Sequence, residues 1–89
     1  MMGIMVKATA ELLLVQALEM RKRLFGPEHP AVATSLNNLA ELYKSQGKYE
    51  KAEPLLVQAL TILENSLGPE HPNTITARQN YTDFLKKKK

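Results

Sequence analysis

The 89-residue chain contains no cysteine and no tryptophan. Without thiols it has no disulfides, no thiolate nucleophile and no thiolate zinc site. That usage suits a reducing cytoplasm, the expected location. Glycine is scarce, with four in all, and none sits in a phosphate-cradling glycine loop. No Ser/His/Asp arrangement or paired acid and base carboxylates can be picked out either. The chain is therefore expected not to be an enzyme. Long apolar runs are missing too. Leu12 to Val15 is far short of the roughly 20 residues that span a bilayer. The apolar start, Met1 to Val6, is interrupted by Lys7 and Glu11 and has no clear cleavage site. A soluble chain with no membrane association is expected.

Net positive charge is confined to one place. The net charge is +3, and Lys86–Lys89 carry four charges, so the body without that tail stands at −1. A nucleic-acid module normally spreads its cations over a face of the fold. The lysine run reads as a solvated terminus suited to a helix C-terminus. The competing reading is a nucleic-acid-associated accessory role acting through this basic tail.

What is present is repetition. Leu24-Phe25-Gly26-Pro27-Glu28-His29-Pro30 returns 42 residues later as Ser66-Leu67-Gly68-Pro69-Glu70-His71-Pro72, and Leu13 to Leu18 return as Leu55 to Leu60. Between positions 8–44 and 50–86 about 16 of 37 pairs are identical. A fixed period of this size marks stacked supersecondary units. With 44% hydrophobic and 24% charged residues, the composition is that of an ordered chain, here expected to form a single domain over 1–89.

Four segments carry helical spacing, at about 4–25, 30–46, 49–67 and 72–86. Ala10, Leu13, Leu14, Ala17, Leu18 and Leu24 form the apolar stripe of the first, at i, i+3, i+4, i+7. Gly26 closes it and Pro27 blocks continuation. Pro30 suits the first turn of the second, where Val32, Leu36, Leu39, Ala40 and Tyr43 share a side. The short link at Gly47-Lys48 forces an antiparallel hairpin with the third segment. That segment carries Ala52, Leu55, Leu56, Ala59, Leu60, Leu63 and Leu67. Pro54 is its local conflict, expected to bend it mildly or loosen its first turn. The fold class is all-α.

Leu36, Leu39, Ala40, Tyr43, Gly47, Tyr49, Ala52, Leu56 and Ala59 match in order the slots of the tetratricopeptide repeat. The usual period of that family is 34 residues. The 42-residue form, with Asn-Asn-Leu-Ala and Leu-Gly-Pro-Glu-His-Pro, resembles the repeats of kinesin light chains and of bacterial arrays. The resemblance implies an α-solenoid of antiparallel helix hairpins in which first-type (A) and second-type (B) helices alternate. The chain reads B-A-B-A, with Arg78 and Thr82 making the last helix a polar cap.

In that family the first-type helices line a concave groove. The resemblance places Thr34, Asn37, Asn38, Glu41, Lys44 and Ser45 there from one unit, and Thr76, Gln79, Asn80, Asp83 and Lys86 from the other. Asparagine offers both donor and acceptor, so Asn38 and Asn80, in one slot, suit the backbone of an extended peptide. Mixed charge argues against the carboxylate-clamp subclass. Glu28-His29 and Glu70-His71 sit in separate Pro-bounded connectors, so no metal or cofactor is expected and the histidines are read as ordering the turns. Tyr43, Tyr49 and Tyr81 match core slots.

Two units are fewer than such arrays normally need for stability. Leu12, Leu13, Leu14 and Met5 at one end, and Tyr81, Phe84 and Leu85 at the other, are expected to be exposed and to join chains into a dimer or larger assembly. The expected function is that of a non-enzymatic interaction scaffold, taking a protein or peptide in the groove and associating with itself.

Overall fold

The computed structural model describes residues 2–88, with side chains described for 9–87. The side chains of Met5, Lys88 and Lys89, named above, lie outside that range. Four helices follow one another: α1 (Met2–Phe25), α2 (Pro30–Ser45), α3 (Tyr49–Leu67) and α4 (Pro72–Lys88). There is no strand among the described residues.

The repeated connector works the same way twice. Gly26 and Gly68 take φ of 89° and 91°, a region open to glycine at little cost. Their amides donate to Lys22 O at 2.9 Å and Glu64 O at 3.2 Å, closing α1 and α3. His29 then caps α2, its Nδ1 accepting from Ala31 N at 3.0 Å, and His71 Nδ1 accepts from Asn73 N at 3.1 Å at the start of α4. An accepting Nδ1 carries no proton, so each ring is the tautomer protonated at Nε2. Phe25 stacks on His29 with centroids 4.6 Å apart. Ser66 Oγ donates to Glu28 O at 2.6 Å, tying the end of α3 to the first connector.

The α2–α3 link is tighter. Gln46 closes α2 through bonds to Leu42 O and Tyr43 O. Lys48 opens α3 without a side-chain cap, and the helix runs unbroken through Pro54.

Each helix packs on its neighbours in the chain. Among the described residues α1 makes no close backbone approach to α3, nor α2 to α4. The result is a slab of 45 × 36 × 17 Å. Val32, Ala33, Leu36 and Leu39 of α2 form one apolar cluster with Leu18 of α1 and with Ala59, Ile62 and Leu63 of α3, which extends to Ala77 of α4. A second cluster joins Ala40, Ala52, Leu56 and Phe84. Alanine recurs where helices cross because a small side chain lets their axes come close, and the larger residues fill what remains.

The two copies solve one crossing differently. Arg21 Nη1 donates to Ser35 Oγ at 3.0 Å, where Ser35 is buried. Forty-two residues on, the same two slots hold Leu63 and Ala77, both in the apolar core. A charge-assisted bond in one unit stands where apolar contact stands in the other.

Four expectations need correction. Phe84 is fully buried, not exposed, and meets Tyr49 edge-on at 5.7 Å; Tyr81, also expected to be exposed, is half-buried against the same cluster. Thr74, Ala77, Tyr81 and Phe84 recur at i, i+3, i+7, i+10 and form the face of α4 that lies on α3, while Leu85 is turned about 100° away and is 39% exposed. Leu14 is half-buried and packs against the core with Val15. Leu13 and Leu24, placed in the buried stripe of α1, are 58% and 67% exposed. Apolar residues surround α1, so periodicity alone did not identify the side that meets α2, and of that stripe Leu18 alone is fully inside.

Candidate functional site: the cleft between α2 and α4

The polar edges of α2 and α4 face each other across a cleft floored by α3. Its first part, a cavity of about 360 Å³, is lined by Pro30, Ala31, Thr34 and Asn37 from α2 and by Asn73, Thr76, Ala77 and Asn80 from α4, over Leu63. The second, about 260 Å³, is lined by Asn37, Glu41 and Lys44, then Asn80, Asp83, Lys86 and Lys87, over Leu56. Asn37 and Asn80 belong to both, so the two cavities run end to end.

Local chemistry divides the cleft. The connector end offers hydroxyls and amides without a charged group. Thr34 Oγ1 there donates back to Pro30 O at 3.4 Å. Far from the connectors the lining is ionic. Lys44 Nζ lies 3.1 Å from Glu41 Oε2, leaving Asp83 beside Lys86 and Lys87 on the opposite wall.

Eight residues picked out in the sequence line this cleft: Thr34, Asn37, Glu41 and Lys44 on one wall, Thr76, Asn80, Asp83 and Lys86 on the other. Asn38, Ser45 and Gln79 are exposed and line neither cavity. Applying the same slots to both copies was the source of the mismatch. A cleft between two parallel elements of one array uses the facing edge of each, and those edges overlap without coinciding: Thr34 and Thr76, Glu41 and Asp83, and Lys44 and Lys86 share slots, whereas Asn37 and Asn80 do not. Thus α2 presents Thr34, Asn37, Glu41 and Lys44, whereas α4 presents Asn73, Thr76, Asn80, Asp83, Lys86 and Lys87. Asn73 and Lys87 were missed; extending the spacing of Thr76, Asn80 and Asp83 by three or four residues each way would have found them.

Two tyrosine–glutamate pairs brace the walls from behind. Tyr43 Oη donates to Glu11 Oε2 at 3.1 Å, and Tyr81 Oη donates to Glu53 Oε2 at 3.4 Å. Glu11 and Glu53 share a slot; the tyrosines lie one turn apart in the repeat frame. Burial, followed by the hydrogen bond and charge of Glu11, pushes the Tyr43 phenol above its ordinary value of 10.0. Lys51 Nζ lies 5.6 Å from the centre of the same ring. On α4, Arg78 Nη2 reaches Pro69 O at 3.2 Å and Glu64 Oε2 at 3.5 Å.

Among the described residues no cluster of His, Cys, Asp and Glu is placed to hold a metal, and none of the described helices is long and apolar enough to cross a membrane. Both histidines are engaged at helix starts, away from the cleft lining.

No curated protein matches the chain. A family model described as the tetratricopeptide repeat matches it twice, over residues 8–65 and 40–84. The two spans overlap in α2 and α3, in agreement with a unit that recurs along the chain. The chain belongs to the tetratricopeptide repeat family, whose members generally mediate protein–protein interaction.

Proposed function

We propose that the chain is a non-enzymatic scaffold whose α2–α4 cleft takes an extended peptide or an extended segment of a partner protein. The observation that carries this reading is the continuity of the two cavities through Asn37 and Asn80. A side-chain amide both donates and accepts, so this pair matches the alternating N–H and C=O groups of an extended backbone. The 16 residues of α2 make a wall of about 24 Å, room for about seven extended residues. The ionic end distinguishes the two directions in which a peptide lies. Its acidic groups fall beside Lys86 and Lys87, and its neutral polar groups fall at the connector end.

Peptides selected from a displayed random library against the purified chain test this. The Asn37→Ala/Asn80→Ala variant is expected to bind them at least tenfold more weakly, the loss of about two modest hydrogen bonds. Asn38→Ala, outside the cleft, leaves affinity unchanged. Equal binding by wild type and the double variant would remove the cleft as the site.

Self-association through the end helices forms part of the same proposal. The apolar residues left uncovered are concentrated there: Leu13, Met20 and Leu24 on α1, and Ile75 and Leu85 on α4.

A further inference from the structure

We infer that copies of this chain associate head to tail, the free face of α4 on one copy seating on the free face of α1 on the next. The contact follows the register of α2 on α3. The inference rests on the self-association reading and specifies it: which faces meet, and in what order.

The internal repeat identifies what covers each face. In the α2·α3 hairpin, Ala33 and Leu36 lie with Ala59 and Ile62, and Ala40 lies with Ala52 and Leu56. Shifting α3 back by 42 residues turns Ala59 and Ile62 into Ala17 and Met20, flanked by Leu13 and Leu24 at helical spacing. Leu13, Met20 and Leu24 are 58%, 59% and 67% exposed. In α3, Ala59 and Ile62 are buried in the cluster that Ala33 and Leu36 of α2 share. Shifting α2 forward by 42 turns Ala33, Leu36 and Ala40 into Ile75, Arg78 and Thr82. Ile75 is 43% exposed, whereas Ala33 is fully buried. Each free face is therefore one half of an interface that the chain already makes internally, and the complementary half lies at its other end.

The antiparallel register sets Ile75 against Met20 and Leu24, apolar on apolar. It sets Arg78 against Ala17, and Thr82 and Leu85 against Ala10 and Leu14. Arg78 and Thr82 replace a leucine and an alanine of the internal hairpin, so the contact between copies is looser than the one inside. Because the two surfaces differ, the interface is heterologous and leaves a free end of each kind after every addition. Assembly continues beyond the dimer unless a ring closes.

Two double variants test the register. Leu13→Glu/Met20→Glu blocks the α1 face, and Ile75→Glu/Leu85→Glu blocks the α4 face. All four positions are more than a third exposed, and circular dichroism confirms that helix content is kept. Sedimentation equilibrium is expected to show wild type growing with concentration past twice its 10.0 kDa mass. Each variant alone stays monomeric. An equimolar mixture gives a 1:1 dimer that grows no further, because the one intact α1 meets the one intact α4. A variant that still dimerises by itself overturns the head-to-tail register while leaving self-association standing. Wild type monomeric up to millimolar concentration overturns both, without bearing on the cleft. As a second measure, Thr9→Cys and Leu85→Cys chains are mixed with a short bismaleimide. Those positions correspond to Lys51 and Tyr43, whose side chains meet in the internal hairpin. Cross-linked mixed dimers in excess over like pairs support the register, and a random distribution rejects it.

Discussion

Arg21 and Ser35 cannot be understood one at a time. The Ser35 hydroxyl is buried and held by a guanidinium that itself reaches toward Ala31 O at 3.4 Å. Removing either partner strands the other, at about 1–2 kcal/mol. Replacing both with the Leu and Ala found in the second copy removes the polar groups together. Ser35→Ala and Arg21→Leu are therefore expected to destabilise singly, and the double variant to return to within about 0.5 kcal/mol of wild type. Urea titrations that gave additive losses would show the pair to be independent. Tyr43 makes a second prediction. Its phenol is held above 10.0 by burial and by Glu11, so the folded state retains a proton that the unfolded chain releases. The associated stability is complete below pH 10 and is lost as pH rises through the raised value. Thermal melts across pH 9 to 11 are expected to show a falling limb that is shallower in Tyr43→Phe.

Helix starts in this chain are built unequally. Two have a histidine cap with proline next to it, but α3 begins at Lys48 with no side-chain bond and a cation at the positive end of the dipole. Lys48→Asp supplies an acceptor and reverses the charge, and is expected to stabilise by about 1 kcal/mol in chemical denaturation. A His29→Ala change acts in the opposite direction by a similar amount. Helix positions were legible in the sequence because their ends are written in local chemistry: Gly26 and Gly68 as stops, Pro30 and Pro72 as starts, Gly47 between. Which side of a helix faces inward was harder to read. Leu12 to Val15 supply apolar residues in every direction, so the partner of α1, and not its own pattern, decides that Leu14 and Val15 pack while Leu13 does not. Phe84 was misplaced because burial on α4 follows α3 on one side only. The cleft was half legible for a related reason: a helical wheel locates a polar face, whereas the neighbouring helix decides which edge of that face borders a shared space. Asn37 and Asn38 are adjacent in sequence and fall on opposite sides of that division.

Across the molecule, burial is greatest in the middle. α2 is covered by α1 and α3 and contributes six buried residues, whereas α4 buries Thr74, Ala77 and Phe84 on one face. Local opening follows local packing. Amide hydrogen exchange is expected to be slowest from Val32 to Ala40 and from Ala52 to Leu63, and faster along α4 and the first half of α1. Uniform protection in all four helices would mean that the slab opens only as a whole. A family built by repetition predicts the graded result, since each unit is held by its immediate neighbours.

α2 and α4 reach each other through α3 alone, so the spacing of the cleft walls is set by how each packs on α3. A few degrees of rolling at either of the two intervening seams translates into a wider or narrower gap, with the walls themselves unbent. On the proposed reading, a guest's girth would be met by the angle between the helices before any side chain has to yield.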